Sequence, residues 1–74
     1  MPDEQLIQRV LEATRQLADA SPDGDVTGKQ VAEKLGMEPD DVALHHAFKV
    51  AARRGDLQCE AWEGGMGLPE IIRL

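Results

Sequence analysis

The stretch Thr27-Gly-Lys-Gln-Val-Ala-Glu-Lys-Leu-Gly36-Met37 predicts a short helix that ends in a sharp turn. Thr27 and Gln30 have the spacing of a capping box, in which each side chain bonds to the backbone N–H of the other residue. Gly36 suits the left-handed conformation that ends many helices. Apolar residues at 31, 32 and 35 give this helix one buried face, and the small Ala32 allows a second helix to cross it closely.

A longer helix is expected before this stretch and another after it. Apolar residues recur at the helical period from about Asp3, the expected N-cap, to Ala20. Pro39 suits the first turn of a third helix, which is expected to run to about Arg54 and to stop at Gly55. The residues expected on the buried arc of this third helix are Ala43, Leu44, Ala47, Phe48, Val50 and Ala51.

The pattern beyond Gly55 alternates, which is typical of a strand. Leu57, Cys59 and Ala61 fall on one face, with Gln58, Glu60 and Trp62 on the other. Residues 63–67 then predict a flexible tip, and residues 68–74 a return strand. Val26 is expected to pair with the edge of this small sheet.

Length and composition bound what the chain can do. Its 74 residues, 42% of them hydrophobic, predict one domain over 1–74 whose core leaves no room for a deep substrate pocket, so we do not expect an enzyme. No apolar run approaches the ~20 residues of a membrane span, and no secretory signal is visible at the start. The single Cys59 fits a reducing compartment. We therefore expect a cytoplasmic protein that does not enter a membrane.

This order of elements resembles the winged helix-turn-helix family over nearly the whole chain. The resemblance is carried by residues 31–37, by the glycine-rich hairpin 63–67, and by the series Leu44, Phe48, Ala51, Gly55 and Leu57. It implies a mainly α fold with a small β-hairpin: three helices and an antiparallel sheet of two or three strands. It also implies a small protein that binds double-stranded DNA, commonly a transcriptional regulator and often a dimer. In that family the third helix typically enters the major groove, and the hairpin, or wing, typically contacts the backbone or the minor groove.

The third helix carries the strongest candidates for contact with DNA. His46, Lys49 and Arg53 share one face, flanked by His45, although a solvated helix face would look similar. Val42 either meets a thymine methyl group or is buried by a shift in register. On the second helix, the backbone N–H groups near its start suggest an anion site, while Thr27 acts as a cap in either case. The residues expected to contact DNA are Thr27, Lys29, Lys34, Val42, His45, His46, Lys49 and Arg53.

The net charge of −6 opposes binding to nucleic acid, but the charges are unevenly distributed. Only in residues 27–55 do basic residues outnumber acidic ones. The expected wing is acidic, so the alternative is a winged-helix module that binds a protein and no nucleic acid. A homodimer or protein contact through the first helix or the wing would use Trp62 and Met66, although Trp62 could instead close the core.

Neither a metal nor a cofactor is expected. His45 and His46 are adjacent on a helix and diverge by about 100°, which makes shared chelation of one ion difficult. Cys59 has no second thiol, and no carboxylate pair or phosphate-binding loop has a spacing that indicates catalysis.

Overall fold

The computed structural model describes residues 3–60 and 68–73. Within them, three helices precede a two-stranded antiparallel sheet, which confirms the mainly helical class. Ala61, Trp62, Met66 and the rest of the expected wing tip lie outside the described residues. The elements are α1 (Glu4–Ala20), α2 (Gly28–Leu35), α3 (Val42–Arg54), β1 (Gln58–Glu60) and β2 (Ile71–Arg73).

The ends of α1 and α2 are set by local hydrogen bonds, as predicted. The Asp3 carboxylate accepts from the Leu6 N–H at 3.1 Å and caps α1. The capping box of α2 is complete in both directions, because the Thr27 N–H donates to the Gln30 side chain at 2.9 Å and the Gln30 N–H donates to the Thr27 hydroxyl at 3.1 Å. Gly36 ends α2 in the left-handed conformation, with a φ of 69°.

The third helix begins later than its proline suggested. Pro39 is not in α3; it lies in a turn closed by a bond from the Asp41 N–H to the Glu38 carbonyl at 3.1 Å. Proline at the second position of such a turn is favoured because its φ is already fixed. Asp41 then caps α3, its carboxylate accepting from the Ala43 N–H at 2.9 Å. The helix ends at the left-handed Gly55, as expected.

The core lies where α1 packs against α2 and α3, and apolar residues in and beside the small sheet close it. Phe48 is fully buried, and Thr14, also buried, donates its hydroxyl to the Val10 carbonyl at 2.7 Å. Ala43 was expected on the buried arc of α3 but is exposed, because it lies at the edge of that arc. The core consists of Leu6, Ile7, Val10, Ala13, Val26, Val31, Ala32, Leu44, Ala47, Phe48, Ala51, Leu57 and Ile72.

The sheet is small and is joined to the helices through β2. β1 and β2 pair antiparallel with Cys59 opposite Ile72. The buried Ile72 also donates its N–H to the Val26 carbonyl at 2.7 Å, so Val26 pairs with the sheet as predicted. Leu57 is buried and Cys59 half-buried, while Gln58 and Glu60 are exposed, which confirms the alternation in the described part of this strand.

Candidate nucleic-acid interface

The helix α3 has a buried face and an opposite face that stands in solvent. Leu44, Phe48 and Ala51 are fully buried, with Ala47 nearly so. At 3.6 residues per turn, residues 42, 46, 49 and 53 fall within about 60° of one another on the other side of the helix. All four are exposed. The exposed set therefore forms one continuous strip, which we call the α3 face: Val42, His46, Lys49 and Arg53.

The charge on α3 has one sign. The sequence of this helix, VALHHAFKVAARR, contains three basic residues and no carboxylate, whereas α1 and α2 each contain acidic residues. Among the described residues, no carboxylate lies within ion-pairing distance of Lys49 or Arg53. Both cations are thus available to an external anion.

His45, unlike His46, makes a side-chain hydrogen bond within the described part of the chain. Its side chain is half-buried at the edge of the α3 face, and its Nε2 lies 2.7 Å from the Pro39 carbonyl oxygen. Because a carbonyl can only accept, Nε2 donates this hydrogen bond. The ring therefore ties the turn that precedes α3 to its first turn. No pattern in the sequence predicted this bond, which spans six residues and depends on the path of the turn.

The two lysines of α2 lie in different places. Lys29 lines an open groove of about 540 Å³ together with Thr27, Pro39 and Glu70. Lys34 lies beside α1, in a shallow groove with Arg9 and Glu12. Their positions differ by about 140° around the helix axis. The structure therefore does not bring Lys29 and Lys34 to one surface, as a shared phosphate contact would require.

The start of α2 has few free backbone donors. The Thr27 N–H is bonded to the Gln30 side chain, and the Gly28 N–H donates to the Pro69 carbonyl at 2.9 Å. These are the two groups on which the expected anion site depended. Thr27 is exposed and acts as the N-cap, so what it offers an anion is its hydroxyl rather than its backbone.

Acidic side chains gather at the N-terminal end of α3. Glu38 and Asp40 are exposed in the turn, and Asp41 caps the helix. Lys49 and Arg53 lie two and three turns further on. The charge along the α3 face thus runs from negative at its beginning to positive at its end.

Arg54 is held by α1 and does not belong to the α3 face. Its guanidinium donates two hydrogen bonds to the Glu4 carboxylate, one of them at 2.9 Å. These bonds lower the pKa of Glu4 and raise the pKa of Arg54. No local pattern in the sequence predicted this pair, since the two residues lie 50 positions apart.

The cation of β2 is also occupied. The Arg73 guanidinium lies 3.2 Å from an Asp25 carboxylate oxygen and 3.7 Å from one of Glu60. The described part of the sheet therefore adds no unpaired cation to the α3 face.

Other kinds of site find little support in the described ranges 3–60 and 68–73. No cluster of three or more His, Cys, Asp or Glu side chains arranged to hold a metal occurs there. None of the helices described is long and apolar enough to cross a membrane. Partial burial raises the pKa of the Cys59 thiol, which keeps it protonated and unreactive near neutral pH.

The α3 face is thus an exposed strip of one apolar, one imidazole and two cationic side chains on a helix whose far side is the core of the domain. No protein-family model, curated protein or solved structure matches the chain.

Proposed function

We propose that this chain is a winged helix-turn-helix domain that binds double-stranded DNA, with α3 in the major groove, and that it serves as a transcriptional regulator. The major groove of B-DNA is wide enough to admit one α-helix, and base edges there offer acceptors to basic side chains. His46 is the candidate for contact with base edges, and Lys49 and Arg53 are the candidates for contact with phosphate. Because His45 is anchored to the turn, its part is to position the helix.

The observation that carries the proposal is the segregation of charge. The net charge of the chain is −6, yet α3 contains no carboxylate. Of its three cations, Lys49 and Arg53 have no acidic partner among the described residues. Random placement of acidic residues on an acidic protein would not favour this arrangement. An anionic polymer lying along the strip would meet Lys49 and Arg53 in succession.

The number of cations sets the expected strength of binding. Two on the α3 face, with Lys29 nearby at the edge of its groove, can neutralise only a few phosphates. We therefore expect weak binding by one domain, with a dissociation constant of about 10⁻⁴ to 10⁻⁶ M for mixed-sequence duplex at physiological salt. Dimerisation would double the number of contacts, and the exposed outer face of α1 is one surface on which it could occur.

A second candidate function is protein binding without nucleic acid. The observation in its favour is the group of acids at the start of α3, Glu38, Asp40 and Asp41, which would repel phosphate at one end of the strip. A basic protein surface would accept that end and reject the other.

One titration separates these functions. Amide NMR spectra are recorded while a mixed-sequence duplex is added at low salt. DNA binding predicts shifts concentrated at residues 42–54 and near Lys29, which fade as salt is added and return on dilution of the salt. If the amides do not shift at low salt, at protein and duplex concentrations near 1 mM, DNA binding is excluded and the protein-binding function is favoured. The exposed residues Gln8, Glu12, Arg15 and Asp19 on the outer side of α1 serve as the internal reference.

A further inference from the structure

Val42 is the most exposed large hydrophobic side chain in the described part of the chain. Its exposed fraction is 77%, while the remaining large apolar residues there are buried or partly buried. It is the first residue of α3, where helix formation does not require a β-branched side chain. The core is complete without it. Folding therefore gives no reason for an apolar group at this position.

The direction of Val42 is fixed by the residues on either side of it. The Asp41 carboxylate accepts a hydrogen bond from the Ala43 N–H at 2.9 Å, and the Asp41 carbonyl accepts one from the His45 N–H at 3.1 Å. The His45 Nε2 donates a hydrogen bond to the Pro39 carbonyl at 2.7 Å. The first turn of α3 is thus bonded both to its cap and to the preceding turn, so Val42 stands on the α3 face in a defined orientation.

The charges divide the α3 face into two parts. At 1.5 Å per residue, Lys49 and Arg53 lie about 10 and 16 Å along the axis from Val42. Near Val42 stand the carboxylates of Asp40 and Asp41, which oppose contact with phosphate. When the cations meet the DNA backbone, the first turn of α3 is therefore the part suited to approach base edges rather than phosphates.

The base edges of the major groove carry one apolar group, the C5-methyl of thymine. We propose that Val42 packs against a thymine C5-methyl group and makes this domain prefer thymine at one position of its site. This preference rests on the DNA binding proposed above. The thymine preference extends the proposed DNA binding by naming the base that the first turn of α3 selects.

Replacing thymine by uracil tests this contact, because it removes the methyl group and leaves base pairing unchanged. A duplex of 20 base pairs is first recovered from a random pool by selection on the wild-type protein. Each thymine is then replaced by uracil, one at a time, and affinity is measured by fluorescence anisotropy. Losing one buried methyl group should weaken binding about fourfold at one position, with smaller effects elsewhere.

Three variants assign the effect to the side chain. Val42→Ser should bind the thymine and uracil duplexes equally, whereas Val42→Thr retains a methyl group and should still prefer thymine. Lys49→Ala should weaken binding to both duplexes equally and keep the fourfold ratio. Because residue 42 is exposed, none of the changes there should alter the thermal midpoint by more than about 4 °C.

The outcomes are distinct. If the pool yields no enriched duplex, the domain prefers no base sequence and the thymine contact is overturned, while the titration with mixed-sequence duplex decides DNA binding separately. If a duplex is enriched but uracil is neutral at every position, DNA binding stands and the contact is overturned. The same holds if the uracil effect is unchanged in Val42→Ser, since the methyl group then acts through DNA shape or another residue.

Discussion

Glu4 and Arg54 join the first turn of α1 to the last turn of α3 by two hydrogen bonds between carboxylate and guanidinium. The pair neutralises one of the three cations of α3. Both side chains are substantially exposed. The pair therefore affects charge more than stability, because exposed ion pairs contribute little to folding.

Glu4→Gln should strengthen binding to duplex DNA. It removes a negative charge and loosens Arg54, which can then reach an additional phosphate. Each additional phosphate that is neutralised steepens the dependence of log K on log salt by about 0.9. The matched control is Glu12→Gln, the same charge change on an exposed residue of α1 whose carboxylate accepts a hydrogen bond from the Gln16 side chain. A similar increase in slope in both variants would show that net charge alone is responsible.

The same ion pair predicts a dependence of stability on pH. Arg54 holds the pKa of Glu4 below its ordinary value of 4.5. A carboxylate with a lowered pKa in the folded state stabilises the fold above its unfolded pKa and loses that contribution as pH falls through the folded value. Urea unfolding should therefore show wild type to be slightly more stable than Glu4→Gln at pH 7, with the difference shrinking as the pH falls below 4.5 and Glu4 becomes protonated. A difference that does not shrink in acid would contradict the assignment to charge.

Lys49→Ala and Arg53→Ala should each weaken DNA binding and reduce the salt slope by about 0.9 for every phosphate that is no longer neutralised. Arg15→Ala is the control, since it removes the same charge from the exposed outer side of α1. Fluorescence anisotropy at several salt concentrations gives both the affinity and the slope. Equal effects in all three variants would mean that total charge, and not the α3 face, governs binding.

The fold is predictable to the extent that it is encoded locally. The capping box at Thr27 and the glycine stops at Gly36 and Gly55 each depend on residues within a few positions, and all three are confirmed. The predicted start of α3 was too early because Pro39 suits both the first turn of a helix and the second position of a tight turn. Asp41, two residues after Pro39, favours the turn because its carboxylate caps the helix that begins at the next residue.

The sequence was less informative about which cations and N–H groups of the candidate site are already bonded, because these bonds form between distant parts of the chain. The sequence showed that Lys49 and Arg53 share a helix face. It could not show that Arg54 is paired with Glu4, nor that the Pro69 carbonyl accepts a hydrogen bond from the Gly28 N–H at the start of α2. One local signal for the second contact existed: glycine is a poor helix former, and its presence in the first turn of α2 indicated a close approach by other atoms.

Gly28→Ala should destabilise the domain. In an exposed helix this change is stabilising by about 1 kcal/mol, because alanine is the better helix former. Here a Cβ on residue 28 would lie 2.7 Å from the Leu68 Cβ and 2.8 Å from the Pro69 carbonyl oxygen. Overpacking of this kind costs about 1–3 kcal/mol, so the sign of the change is decisive. Urea unfolding measures it, with the exposed Lys29→Ala as a near-neutral control; a more stable Gly28→Ala would mean that residues 68–69 do not pack on α2.

The two adjacent histidines should respond differently to replacement by alanine. His45→Ala removes the bond to the Pro39 carbonyl and should lower the free energy of unfolding by about 1 kcal/mol. His46→Ala removes an exposed ring with no described partner and should change it by less than about 0.5 kcal/mol. Under the proposed function, His46→Ala weakens DNA binding without loss of stability. His45→Ala, in contrast, should also lower hydrogen-exchange protection at the amides of residues 43 and 45, since the first turn of α3 is no longer tied to the turn before it. Equal losses of stability in the two variants would mean that the His45 ring does not hold the turn in solution.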